Sequence, residues 1–321
     1  MKERVFFLKP CRQTDDQPVL SDAQIGLNLV HGIETCAVLD LNVLNRFKQH
    51  CNREAVDLHP EISADIEALK GQLARPLMFV SAGFALGEAD ESYLEELVST
   101  YEAFFASELP GYRDTPNSLP AGRDRVRSRR YVALLPTEQH ILSFSYLALL
   151  KVHDILLSGD YVSGEAKFDA FLEFMDGVAD VVPAVEVEVA KHCFFTSTSI
   201  DDELFVGRSK AIRANFDKGG RGESRVERIL NGARDIMYVR SAAVVDGTKL
   251  DGRIQDTWLL TCDSGIAALC NVFYFHPKDG ERAKYTTTVD SIARSKDSYW
   301  RYVDRASGDL IADRCKPRRN A

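Results

Sequence analysis

Twice along the chain a short apolar run ends on an aspartate and gives way at once to helical spacing. That change of period constrains the fold class more than any other feature. In TCAVLDLNVLNRFKQH, Ala37 to Leu39 run into Asp40, after which Leu44 and Phe47 recur at helical distance. In TWLLTCDSGIAALCNVF a β-rich run ends on Asp263 and a helix follows. Further helices are predicted from Pro60 to Leu73, from Glu88 to about Phe105, and through FDAFLEFMDGVADVV. HILSFSYLALLKVHDILL is apolar nearly all round, which predicts a helix buried on most faces. RVERILNGARDIMYVRSAAVV reads as one helix from about Ser224, with apolar positions Val226, Ile229, Leu230, Ile236, Met237 and Val239. PLMFVSAGFAL fits either a strand or a buried helix. Interspersed strands and helices predict an α/β protein with a parallel-rich sheet.

At 321 residues the chain is at the upper end of what one core supports, and one main domain with an insertion is favoured over two domains. Pro110, Gly111, Pro116, Pro120 and Gly122 predict an exposed loop, FDKGGRGES a second breaker, and DGTKLDGRIQD a loop before the late strand. The opening MKERVFFLKPCRQTDD lacks the apolar core and cleavage site of a secretory signal, and no later apolar run is expected to reach membrane-spanning length. Seven cysteines without CxxC or zinc-ligand spacing point to a reducing, cytoplasmic setting. The net charge of −8 excludes a protein that coats nucleic acid with its whole surface. Local basic stretches remain at GRDRVRSRR (Gly122 to Arg130), from Arg208 to Arg228, and in RCKPRR near the C-terminus.

In a parallel sheet both strand-terminal acids, Asp40 and Asp263, would stand at the carboxyl edge, where open α/β sheets bind ligands. Glu88, at an expected helix start, and Asp235, within the late helix, are the further candidates. Four converging carboxylates repel unless protonated or neutralised, and hard oxygen ligands suit Mg²⁺ or Mn²⁺. The expectation is a metal site. His192-Cys193 lacks further ligands at zinc spacing, Cys262 reads as a small buried residue, and Asp201-Asp202 reads as a helix cap after Ser199.

These residues resemble the PIN-like (FEN-related) metal-dependent nucleases. Leu39-Asp40-Leu41-Asn42-Val43-Leu44 matches the family's opening Asp-x-Asn-x-Leu, and Thr261-Cys262-Asp263 its closing Thr-x-Asp. Glu88 in GFALGEADESY and Asp235 in ARDIMYVRSAA are the best matches to its two helix-borne acids, with Asp90 and Glu91 rivalling Glu88, and Asp256 a rival late carboxylate. The resemblance implies a PIN-like parallel sheet flanked by helices, with a catalytic core over 35–105 and 224–305 and a mainly helical insertion over 106–223. Around these would lie an N-terminal extension over 1–34 and a basic tail over 306–321.

The activity implied is metal-dependent phosphodiester hydrolysis, most often as an endoribonuclease, sometimes on single-stranded or structured DNA. Asp40, Glu88, Asp235 and Asp263 would hold Mg²⁺ or Mn²⁺, Asn42 and Thr261 would steady the carboxylates or a metal-bound water, and Arg234 and Arg240 would meet substrate phosphates. By family analogy an inhibitory antitoxin-like or assembly partner would control such an enzyme, and a homo-oligomer is a further expectation. Two alternatives stand beside it. One is a non-catalytic PIN-like module that binds RNA or protein. The other, a haloacid-dehalogenase-type phosphatase, would need an acid where Asn42 stands.

Overall fold

The computed structural model describes residues 5–52, 61–89, 91–112, 136–180, 182–196, 202–216, 223–250, 252–277, 284–289 and 291–315. In chain order the strands are β1 (Phe6–Leu8), β2 (Ile33–Leu39), β3 (Phe79–Ser81), β4 (Lys249–Leu250), β5 (Arg253–Thr261), β6 (Phe273–Pro277) and β7 (Lys284–Thr288). The helices of the first part are α1 (Asp22–Val30), α2 (Leu41–Cys51), α3 (Glu61–Leu73), α4 (Gly83–Gly87) and α5 (Glu91–Glu108). Then come α6 (Pro136–Ser158), α7 (Gly164–Gly177), α8 (Ala184–Phe194), α9 (Glu203–Phe216), α10 (Glu223–Val245), α11 (Ser264–Val272), α12 (Ser291–Lys296) and α13 (Ser298–Cys315). The protein is a mixed α/β chain forming two compact units, one over 1–139, 238–270 and 275–285, the other over 140–237, 271–274 and 286–321.

The first unit is built on a sheet of order β1-β5-β2-β3, with β4 also paired to β5. β2 runs parallel to both β3 and β5, whereas β1 and β4 are antiparallel to β5. The sheet is therefore mixed rather than parallel throughout. Its antiparallel edge comes from residues 1–34, expected as an extension, whose β1 sets Phe6 opposite Thr261. The stretch DGTKLDGRIQD is not a loop. Gly247 and Gly252 take φ of +71° and +87°, and the chain turns back through β4 so that β5 starts at Arg253. Strand alternation sends Leu39, Val80 and Leu260 to one face, where they join Val43, Phe47, Leu69, Phe104 and Phe105 in the core under α2, α3 and α5. PLMFVSAGFAL divides between β3 and α4.

The second unit is helical. In α8 every side chain from Val185 to Phe194 is buried. Asp202 Oδ1 accepts the Phe205 amide at 3.0 Å and so caps α9, as the STSIDDELF stretch suggested, while Asp201 lies outside the described residues. The apolar run in α6 departs from two expectations. Gln139–Ser158 is 20 residues at a mean hydropathy of 1.5, long and apolar enough to cross a membrane by length and composition. It is also only 33% buried, with Leu157 60% exposed, because hydropathy does not tell a helix how many of its faces will find neighbours. On its covered side Ser145 donates to Glu186, and His153 is buried. Helix α13 runs to Cys315, into the stretch expected as a tail. GRDRVRSRR and the loop from Pro116 to Gly122 lie outside the described residues.

Candidate functional site

Asp40 follows the last residue of β2 and occupies the N-cap of α2 with extended φ and ψ of −83° and 155°, yet its side chain makes no capping bond to the helix. An aspartate there ordinarily accepts the amide of the second or third helical residue. This one is turned to the neighbouring strand. Its Oδ2 accepts the Thr261 hydroxyl at 2.8 Å and the Asn42 Nδ2 amide at 3.1 Å. Parallel pairing of β2 with β5, Leu39 opposite Leu260, is what brings these strand ends level.

Thr261 has a fixed polarity. Its Oγ1 accepts the Asp263 amide at 2.8 Å, so its own hydrogen is left to point at Asp40. Asp263 Oδ1 accepts Gly265 N–H at 2.5 Å and lies 3.4 Å from the Ile266 amide, which caps α11. Asn42 Nδ2 reaches Asp263 Oδ2 at 3.4 Å as well, so a single amide nitrogen stands between the two carboxylates.

Asp40 is 4% exposed. Burial lifts its pKa from 3.8 to about 6 and the charge of Asp263 adds to the rise, while the bonds from Thr261, Asn42 and the Leu41 amide hold it down. All of these influences are neutral or anionic. Among the described residues, Asp40 is thus acted on by one carboxylate and a set of dipoles, an arrangement that favours either a proton or a cation.

The other proposed acids are placed differently. Glu88 is half-buried at the C-terminal end of α4, donating its amide to Phe84 O at 3.1 Å, rather than opening α5, which starts at Glu91. Its charge and that of Asp40 are both felt at the buried Tyr238 hydroxyl. Asp235 belongs to the helical unit, where Asn215 Nδ2 donates to it at 3.3 Å. Asp256 lies opposite Thr35, early in β5 and far from Thr261. Lys9 Nζ at 2.6 Å, Asn28, Thr35 and Trp258 Nε1 occupy its carboxylate, a structural hub rather than a site acid. Asp90 and the side chain of Glu91 lie outside the described residues. Arg234 and Arg240 are half-buried on α10.

Among the described residues no three His, Cys, Asp or Glu side chains group closely enough to hold a metal ion. The Asp40–Asp263 pair supplies two hard-oxygen carboxylates joined through the Asn42 amide. Magnesium is commonly held by one or two carboxylates, its remaining positions filled by water and substrate phosphate. Tyr238 is the residue that sequence reading passed over: a tyrosine inside an otherwise apolar helical stripe was the available signal. Compared with known family models, curated proteins and solved structures, the chain matches none.

Proposed function

We propose that this protein is a PIN-like, metal-dependent nuclease, an endoribonuclease in the first instance, acting at the carboxyl edge of β2 and β5. The observation that carries the reading is the Asp40–Asn42–Asp263 contact, because it joins the two halves of the family signature across 221 positions of sequence. A divalent ion held by Asp40 and Asp263 would neutralise a bridging phosphate and acidify a water for attack on it. Thr261 and Asn42 keep the two carboxylates in one orientation before any ligand arrives. The charge of Glu88, like that of Asp40, acts on the Tyr238 hydroxyl, and Arg240, on the part of α10 that belongs to the same unit, is assigned to substrate phosphate. The six cysteines whose side chains are described are free thiols, in keeping with a reducing cytoplasm.

The test is incubation of wild type and Asp40→Asn with mixed RNA and single-stranded DNA in Mn²⁺. Cleavage by wild type alone supports the reading; equal cleavage by both, or none by either, sinks it. RNA binding without cleavage would favour the non-catalytic module, and release of inorganic phosphate from phosphomonoesters the phosphatase.

A further inference from the structure

Tyr238 is the first residue of α10 to fall in the sheet unit, and it is 1% exposed. Its hydroxyl donates to Val38 O at 2.8 Å and lies 3.5 Å from Leu260 O, so one proton is shared between backbone carbonyls of β2 and β5. Val38 is two residues before Asp40, and Leu260 three before Asp263. Leu260 O also accepts the Asp40 amide at 3.1 Å, so the tyrosine engages a carbonyl that anchors the backbone of Asp40. Its ring stands edge-on to Phe84, with centroids 6.1 Å apart, and Phe84 O in turn accepts the Glu88 amide.

The β2–β5 ladder needs no such donor, because strand carbonyls are satisfied by strand amides and the hydroxyl uses a spare lone pair. A phenylalanine would fill the same space without burying a polar group. The hydroxyl is nonetheless present, and it is placed where the two acids leave the sheet. We infer that Tyr238 is the positioning residue of this site, a clamp that fixes the spacing of the strand ends bearing Asp40 and Asp263. The inference rests on reading that pair as a divalent-cation site. Burial, then the charges of Asp40 and Glu88, push the hydroxyl well above the ordinary tyrosine range, so it remains a donor and adds no third anion.

The test is Tyr238→Phe, which keeps the ring, read by amide hydrogen exchange without metal and by Mn²⁺ binding followed by electron paramagnetic resonance. Urea unfolding of the same sample confirms the fold and corrects for global stability. Exchange at the Asp40 amide relative to the mid-strand Ala37 amide should rise about tenfold, the scale of one lost hydrogen bond. Mn²⁺ affinity should fall about tenfold, as when a partner that orients a ligand is removed. An unchanged exchange ratio overturns the clamp, and so does a changed ratio with Mn²⁺ affinity unmoved. A changed ratio in a protein whose wild type binds no Mn²⁺ leaves the clamp standing and places the failure on the metal-dependent reading.

Discussion

Burial and charge set Asp40 against the stability of its own fold. Its pKa is raised from 3.8 to about 6, so between those values the folded chain binds more protons than the unfolded chain. The contribution of the group is most favourable below pH 4 and is lost as pH rises through 6. Asp40→Asn, which can still accept from Thr261, should therefore stabilise the sheet unit by about 3 kcal/mol at pH 8 and by almost nothing below pH 4. Urea unfolding at the two pH values checks it. A variant that is more stable yet inactive is what a site acid predicts and a structural acid does not. Thr261→Val acts in the other direction. It leaves the Asp263 amide without its acceptor and Asp40 without one of its donors, and should cost about 1–3 kcal/mol in the same measurement. The pairing of Asp40 with Asn42 was legible because both lie in one motif. The direction of the Thr261 hydroxyl was not, because it depends on two bonds made only after β5 docks on β2.

At the scale of elements, the helical unit is fixed by close approach and by buried ions. Ser163 caps α7, and a Cβ placed on Gly164 would stand 2.6 Å from Phe194 O and 2.9 Å from the Tyr299 ring. The backbone of α8 would have to move. Gly164→Ala should destabilise by about 1–3 kcal/mol despite alanine's better helix propensity, measured by chemical unfolding. Arg294 joins α12 to α8 and α13: it donates to Glu188, bonds Asp304 Oδ1 at 2.7 Å, and stacks over Trp300 at 4.2 Å. Arg294→Met would leave Glu188 buried with Lys191 at 3.3 Å as its remaining cation among the described residues, and should cost about 3–5 kcal/mol. A loss under 1 kcal/mol would show that the network is not stabilising as described. Sequence marked α8 as helical and left these partners unnamed, since they come from residues about a hundred positions away.

At the scale of the whole molecule, the two units carry opposite pH dependences. Burial opposes ionisation of Glu188, but Arg294 and Lys191 overcome it and hold the pKa at about 2. Burial takes His192, beside Ser209 and Glu188, down to about 3. Both groups are depressed, so their stability is present above the unfolded values of 6.5 and 4.5 and is lost as pH falls below them. Asp40 runs the other way. Calorimetry from pH 7 to pH 5 should therefore broaden or split the unfolding transition, the helical unit melting earlier. Mn²⁺ at a hundred times its Kd should raise only the transition of the sheet unit, by about 2.7 kcal/mol, and should leave Asp40→Asn unmoved.

What the sequence determined by itself was local. A change of hydrophobic period placed β2, α2, β5 and α11, and an Asp at each strand end with Asn42 and Thr261 at fixed offsets marked the site, because each signal lies within a few residues. The long-range outcomes were decided by tertiary structure. Pairing at β1 made the sheet mixed, the hairpin at Gly252 absorbed an expected loop, and Asp256 went to Lys9 instead of the site. Glu88 came to end a helix rather than begin one, and α6 kept an exposed apolar side. The physical reason is common to all of them. Which strand end meets which, and which face finds a neighbour, is fixed only when segments distant in sequence bury surface against each other.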